Sequence, residues 1–94
     1  MIFISRLIWE SWNVAHIARH EVIPDEVEEV CHGPFITRQT YDDRHFLIGP
    51  TLSGRMLVVI LGPTAEAEVY YPVTARPASM KERRIYKNEY RRES

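Results

Sequence analysis

A chain of 94 residues with 12 Lys and Arg against 13 Asp and Glu, and 45% hydrophobic side chains, suits one small domain spanning 1–94 around one core. No apolar run approaches the roughly 20 residues of a membrane span, and Ser5-Arg6 interrupts the apolar start Met1-Ile2-Phe3-Ile4 before it could act as a signal peptide. A lone cysteine, Cys31, excludes an internal disulfide and fits a reducing cytoplasm, and without a CxxC pair no structural zinc or other metal site is expected.

Residues 2–8 are apolar and β-branched, which predicts a short strand. A helix is predicted from Glu10 to Arg19, with Trp12, Ala15 and His16 on one side and Val14, Ile17 and Ala18 wrapping round it. Both Trp9 and Trp12 read as core anchors rather than RNA-stacking platforms. The second helix has clear punctuation. Pro24 suits the first helical position, Asp25 and Glu26 favour the positive end of the dipole, and Val27, Val30 and Cys31 repeat at helical spacing. Gly33-Pro34 then stops it. At this spacing Cys31 belongs to the core rather than to nucleophilic chemistry.

Beyond Pro34 the pattern changes to strands. Phe35–Tyr41 and Arg44–Ile48 flank an Asp42-Asp43 hairpin turn, and Ser53-Gly54 turns into Arg55–Leu61, whose unbroken apolar run predicts a central strand covered on both sides. Gly62-Pro63-Thr64 closes it. The last strand, Glu68–Ala75, contains Pro72, which cannot donate to a ladder, so an edge position or a bulge is expected. Ser79 with Glu82 three residues on forms a capping-box signature opening a terminal helix. Met80 and Ile85 give that helix only a thin apolar stripe. The order is β-α-α-β-β-β-β-α, an α+β domain with a mainly antiparallel sheet and helices packed mainly on one face.

Charge is distributed unevenly along this order. Residues 1–50 carry four Arg and Lys against eight Asp and Glu, whereas residues 51–94 carry eight against five. The stretch Tyr71-Pro72-Val73-Thr74-Ala75-Arg76 brings an arginine to a strand end just before a helix carrying Arg83, Arg84 and Lys87. Converging guanidinium groups suit phosphate, so the pattern points to nucleic acid. Two solvated helix faces of opposite sign would satisfy the charge pattern equally well. Within the terminal helix Arg83, Lys87 and Arg91 form one basic stripe, with Tyr86 and Tyr90 as a neighbouring aromatic edge. Such a stripe could track RNA with tyrosine stacking, dock an acidic partner, or simply face solvent.

Several marks in order resemble the BrnT family of ribonuclease toxins, which has a RelE-like fold. They are Trp9-Glu10, Arg19-His20-x-Val22, Arg44 with Ile48-Gly49-x-Thr51, Gly54-Arg55-x-Leu57-x-Val59, Thr74-Ala75-Arg76 and Glu82-Arg83-x-x-Tyr86. The chain departs from the family's usual residues in several places. Glu21 stands where a glycine is usual, His16 where asparagine is, Glu10 where aspartate is, and Tyr71-Pro72 precede Ala75-Arg76.

The resemblance implies a metal-independent ribonuclease needing no cofactor. Such chemistry requires a base for the 2′-hydroxyl, donors for the dianionic phosphorane and an acid for the leaving 5′-oxygen. By position, the resemblance assigns proton transfer to His20 and the phosphate grip to Arg44, Arg55 and Arg76. Tyr86 or His45 is the candidate for the second proton-transfer group. Arg83, Arg84, Tyr86 and Lys87 are the expected RNA-binding set. The implied partners are an RNA substrate and a ribbon-helix-helix antitoxin resembling BrnA, with room for a homodimer and no role for a membrane. Each site residue also has a bland explanation. His20 could merely complement a helix C-terminus, His45 could face solvent, and Arg76 could pair with Asp42, Asp43 or Glu82. A non-catalytic RNA- or protein-binding module on the same fold is the alternative.

Overall fold

The computed structural model describes residues 2–40 and 42–93. Its elements follow the predicted order: β1 (Arg6–Leu7), α1 (Ser11–Ala18), α2 (Pro24–Cys31), β2 (Ile36–Gln39), β3 (His45–Pro50), β4 (Met56–Pro63), β5 (Val69–Pro77) and α3 (Met80–Glu93). Tyr41, the predicted end of the second strand, lies outside the described residues. Strands β2 to β5 form an antiparallel meander, and β1 adds to β5 in parallel, giving the sheet order β1-β5-β4-β3-β2.

Pro72 sits at a register shift, because Ile60 pairs with Thr74 but Leu61 pairs with Pro72, which leaves Val73 as the extra residue. The expected bulge is therefore present, while β5 is one strand in from the edge. The first strand is shorter than predicted. It pairs with β5 only through Arg6 and Leu7, and the Glu10 N–H donating to Asn13 Oδ1 at 2.8 Å then opens α1.

The central strand is β4, whose Leu57, Val58, Val59 and Leu61 are all buried. Alternation along it makes two cores. Leu57, Val59 and Leu61 join Leu47, Ala75 and the helix residues Ile17, Val27, Val30 and Cys31 on one side. Val58 joins Ile36, Ile48 and Tyr86 on the other. So α1 and α2 cover one face and α3 covers the opposite one. A fully buried aliphatic side chain of this kind contributes about 1.5–3 kcal/mol.

The predicted capping box of α3 is present, whereas Gly33 ends α2 without a left-handed conformation. Ser79 N–H donates to Glu82 Oε1 at 2.8 Å, and Glu82 N–H donates to Ser79 Oγ at 3.2 Å. The Ile23 N–H donates to Glu26 Oε1 at the start of α2. At Gly49 a Cβ would stand 3.0 Å from Phe35 Cβ and 3.2 Å from Val30 Cγ1, so glycine lets α2 and the following chain close on β3.

The buried side of α1 differs from the predicted one. Asn13 and Ile17 face inward, and Asn13 is fully buried with its Nδ2 donating to Ile8 O at 2.9 Å. That rotation turns Trp12 outward, 47% exposed, instead of into the core. Trp9 does pack on the core, its indole N–H donating to Glu28 at 2.8 Å.

Candidate functional site

Arg76 lies opposite Val58 on the α3 side of the sheet. Its guanidinium makes two parallel bonds to Glu82, Nη1 to Oε1 at 2.7 Å and Nη2 to Oε2 at 2.8 Å. That paired, hydrogen-bonded charge holds the Glu82 carboxyl down at about 2 and pushes Arg76 upward. Of the three carboxylates open to Arg76 in the sequence, Glu82 is the partner.

Arg55 is also ion-paired, but on the other side of the sheet. From the β3–β4 turn its Nη1 donates to both Glu26 oxygens, at 3.0 and 3.1 Å, and to the Glu21 carbonyl at 2.7 Å. Its Nη2 reaches the His20 carbonyl at 3.5 Å. The side chain thus staples the turn to the α1–α2 junction.

The four expected catalytic residues do not share one surface. His20 and Arg55 are neighbours through the His20 backbone, whereas Arg76 lies across the sheet from both. Arg44 is exposed at the opposite end of β3 from the Arg55 turn, a six-residue strand away, or roughly 20 Å at 3.3 Å per residue. The shared arginine cluster is corrected on this point. An apolar strand alternation sends Ala75 and Arg76 to opposite faces, a consequence that linear order does not display.

Two further assignments change. Tyr86 is buried, its hydroxyl donating to Pro34 O at 2.6 Å and its ring stacked on Tyr90 at 5.7 Å. Burial raises its phenol, so Tyr86 is a core tyrosine rather than an exposed stacking or proton-transfer group. His45 packs edge-on against Tyr70 at 5.4 Å, at the far end of β3 from His20. Cys31 is in the core as expected, and burial together with the Glu28 charge pushes its thiol up to about 12.

Arg83, Lys87 and Arg91, the expected basic stripe, are exposed on α3, as is Arg84 one residue round from it. Beside α3 a cleft of about 350 Å³ has a floor of Phe46, Ile48 and Ile85 and a rim that includes Arg38 and Lys81. Arg38 is itself paired with Glu89 at 3.1 Å.

The residue missed by sequence reasoning is His16. Its ring meets that of His20 edge-on, with centroids 6.0 Å apart. The signal was available, because His-x-x-x-His places two imidazoles one turn apart on a helix. Among the described residues no three His, Cys, Asp or Glu side chains gather as a metal site. No helix among them is long and apolar enough to cross a membrane.

With this arrangement in place, a solved structure gives the scaffold its identity. The crystal structure of the Brucella abortus ribonuclease toxin BrnT superposes with a TM-score of 0.63, covering 80% of this chain and 97% of that chain at 24% identity. The chain has the BrnT fold. No family model and no curated protein matches it. The BrnT resemblance also explains the departure at Glu21. This residue has φ +59°, in the left-handed region, where the family's usual glycine carries no Cβ penalty. Val22 N–H donates to Ile17 O at 3.2 Å and Glu21 N–H to Ala18 O at 3.0 Å, the bond pair of a Schellman cap. Glutamate therefore adopts the left-handed conformation that closes this cap.

Proposed function

We propose that this chain is a metal-independent ribonuclease toxin of a type II toxin–antitoxin pair. The observation carrying this reading is the likeness to the Brucella ribonuclease toxin over nearly all of that protein. RNA would be cut by attack of the 2′-hydroxyl on the adjacent phosphodiester, leaving a 2′,3′-cyclic phosphate and a 5′-hydroxyl. His20 is exposed and belongs to the proton transfers; Arg44 is an exposed cation for a phosphate. Arg55, beside His20, would grip the scissile phosphate by exchanging its carboxylate partner for it, and Arg76, across the sheet, would meet a different phosphate of the RNA. The exposed α3 cations Arg83, Arg84 and Lys87 would hold the RNA backbone or an antitoxin. The partner would be a BrnA-like ribbon-helix-helix protein, and the compartment the cytoplasm.

A second reading has its own support. The two ion pairs Arg55–Glu26 and Arg76–Glu82 occupy the guanidinium groups expected to bind phosphate, which favours a non-catalytic RNA- or protein-binding module. Controlled induction in a bacterial host separates the two. The toxin reading expects growth arrest and new RNA ends with 5′-hydroxyls. Salt-dependent RNA binding without cyclic-phosphate product would establish the module instead.

A further inference from the structure

We infer that the exposed flank of α1, with the turn that follows it, is the RNA-cleaving surface, with His16 and His20 as its acid–base couple. This rests on the ribonuclease reading. Trp12 and His16 lie one turn apart on α1, and Arg19 and His20 follow in the turn after Ala18. The set flanks the buried pair Asn13 and Ile17: His16 is half-buried beside them, and Trp12, Arg19 and His20 are exposed. The face therefore carries an indole, two imidazoles and a guanidinium.

Each group has a function in transesterification. The two ring centroids are 6.0 Å apart, so a phosphodiester lying across the rings can be reached from both within hydrogen-bond range of about 3 Å. The neutral imidazole takes the 2′-hydroxyl proton as the 2′-oxygen bonds to phosphorus. The protonated one gives its proton to the 5′-oxygen as the P–O5′ bond breaks. One proton is taken and one given, and no further reactant is needed. Arg19 is exposed and makes no ion pair among the described residues, unlike Arg55 and Arg76. Its guanidinium is ready to meet a phosphate oxygen pair.

Trp12 supplies the base contact. Its N–H donates to Glu10 at 2.9 Å, which fixes the ring edge, and Tyr71 lies beside it with centroids 6.1 Å apart. A nucleobase can stack on this pair one turn from His16.

The test uses the purified full chain and a fluorescent oligoribonucleotide of mixed sequence, with an all-2′-deoxy version as control. Wild type should cut only the ribonucleotide and should do so in the presence of EDTA. His16→Ala and His20→Ala, and their Gln versions, should each lower the rate about 100-fold or more with melting temperatures unchanged. Trp12→Ala should weaken oligonucleotide binding about tenfold, and Arg19→Ala should do likewise. Cleavage by wild type that persists within threefold in both histidine variants overturns the couple while leaving the ribonuclease reading intact. Loss of cleavage in EDTA with recovery in zinc overturns the acid–base role in favour of metal binding by the pair. Wild type that cuts neither this RNA nor total bacterial RNA overturns both the couple and the ribonuclease reading.

Discussion

Glu21 and Glu82 are both glutamates, yet one strains the backbone and the other relieves an exposed helix end. The left-handed φ of Glu21 costs an L-residue about 1 kcal/mol relative to glycine. Glu21→Gly should therefore raise the melting temperature by about 4–8 °C per kcal/mol gained, as read by thermal unfolding. Glu82 instead caps α3 and holds Arg76. Its carboxyl lies at about 2 in the folded protein, below the ordinary value of 4.5. A depressed carboxyl stabilises the fold fully above the unfolded value, and that stability drains away as pH falls from about 4.5 toward 2. Glu82→Gln should cost about 2 kcal/mol at neutral pH, and its denaturation midpoint should change less than the wild type's across that acid window. Arg76 was legible in the sequence as an arginine that must find a partner. Which partner it finds depends on α3 folding back over β5, and that is a tertiary matter.

At the scale of elements, close approach decides what a substitution does. Helix α2 rests on β3 at Gly49, where Phe35 and Val30 already occupy the space of a side chain. Gly49→Val should destabilise by about 1–3 kcal/mol through overpacking, measured by urea denaturation, with the slope against denaturant unchanged. Arg55 joins the β3–β4 turn to the α1–α2 junction through Glu26 and two carbonyls. Arg55→Ala leaves the half-buried Glu26 without its cation and should cost about 2 kcal/mol; Glu26→Gln in the same background should recover part of it. The helices and strands themselves were readable because their signals are local: Pro24, Gly33-Pro34, Ser79 with Glu82, and the apolar run of β4. The orientation of α1 was not. Its sequence offers apolar and aromatic residues on several sides, and a buried Asn13 satisfied by Glu10 and Ile8 chose the inward face.

Across the whole molecule the sheet separates two surfaces of different chemistry. One side presents Trp12 and His16 of α1 with Arg19 and His20 of the turn after it. The other presents the cations of α3, with Arg76 beneath them held by Glu82. A short RNA cut on α1 does not need α3, whereas a long RNA can touch both around so small a body. Neutralising Arg83, Arg84 and Lys87 together should leave cleavage of a short oligonucleotide within twofold. The same change should lower the salt slope of long-RNA binding by about 2, at roughly 0.7 per cation for single strands. Filter-binding titrations at several salt concentrations measure that slope.

Local chemistry in the chain determined the order of elements, the capping box of α3, the doubly covered β4 and the core role of Cys31, because each depends on residues a few positions apart, whereas the choice between edge and bulge at Pro72 fell to the pairing of β5. The BrnT-like marks carried the scaffold for the same reason, as short motifs in a fixed order. Only the folded sheet decided which side chains meet. A two-residue period in β5 sends Arg76 away from Arg55, and the turn after α1 leaves His20 beside His16. Such proximities depend on face and register, which residues distant in the chain acquire only after the strands have paired.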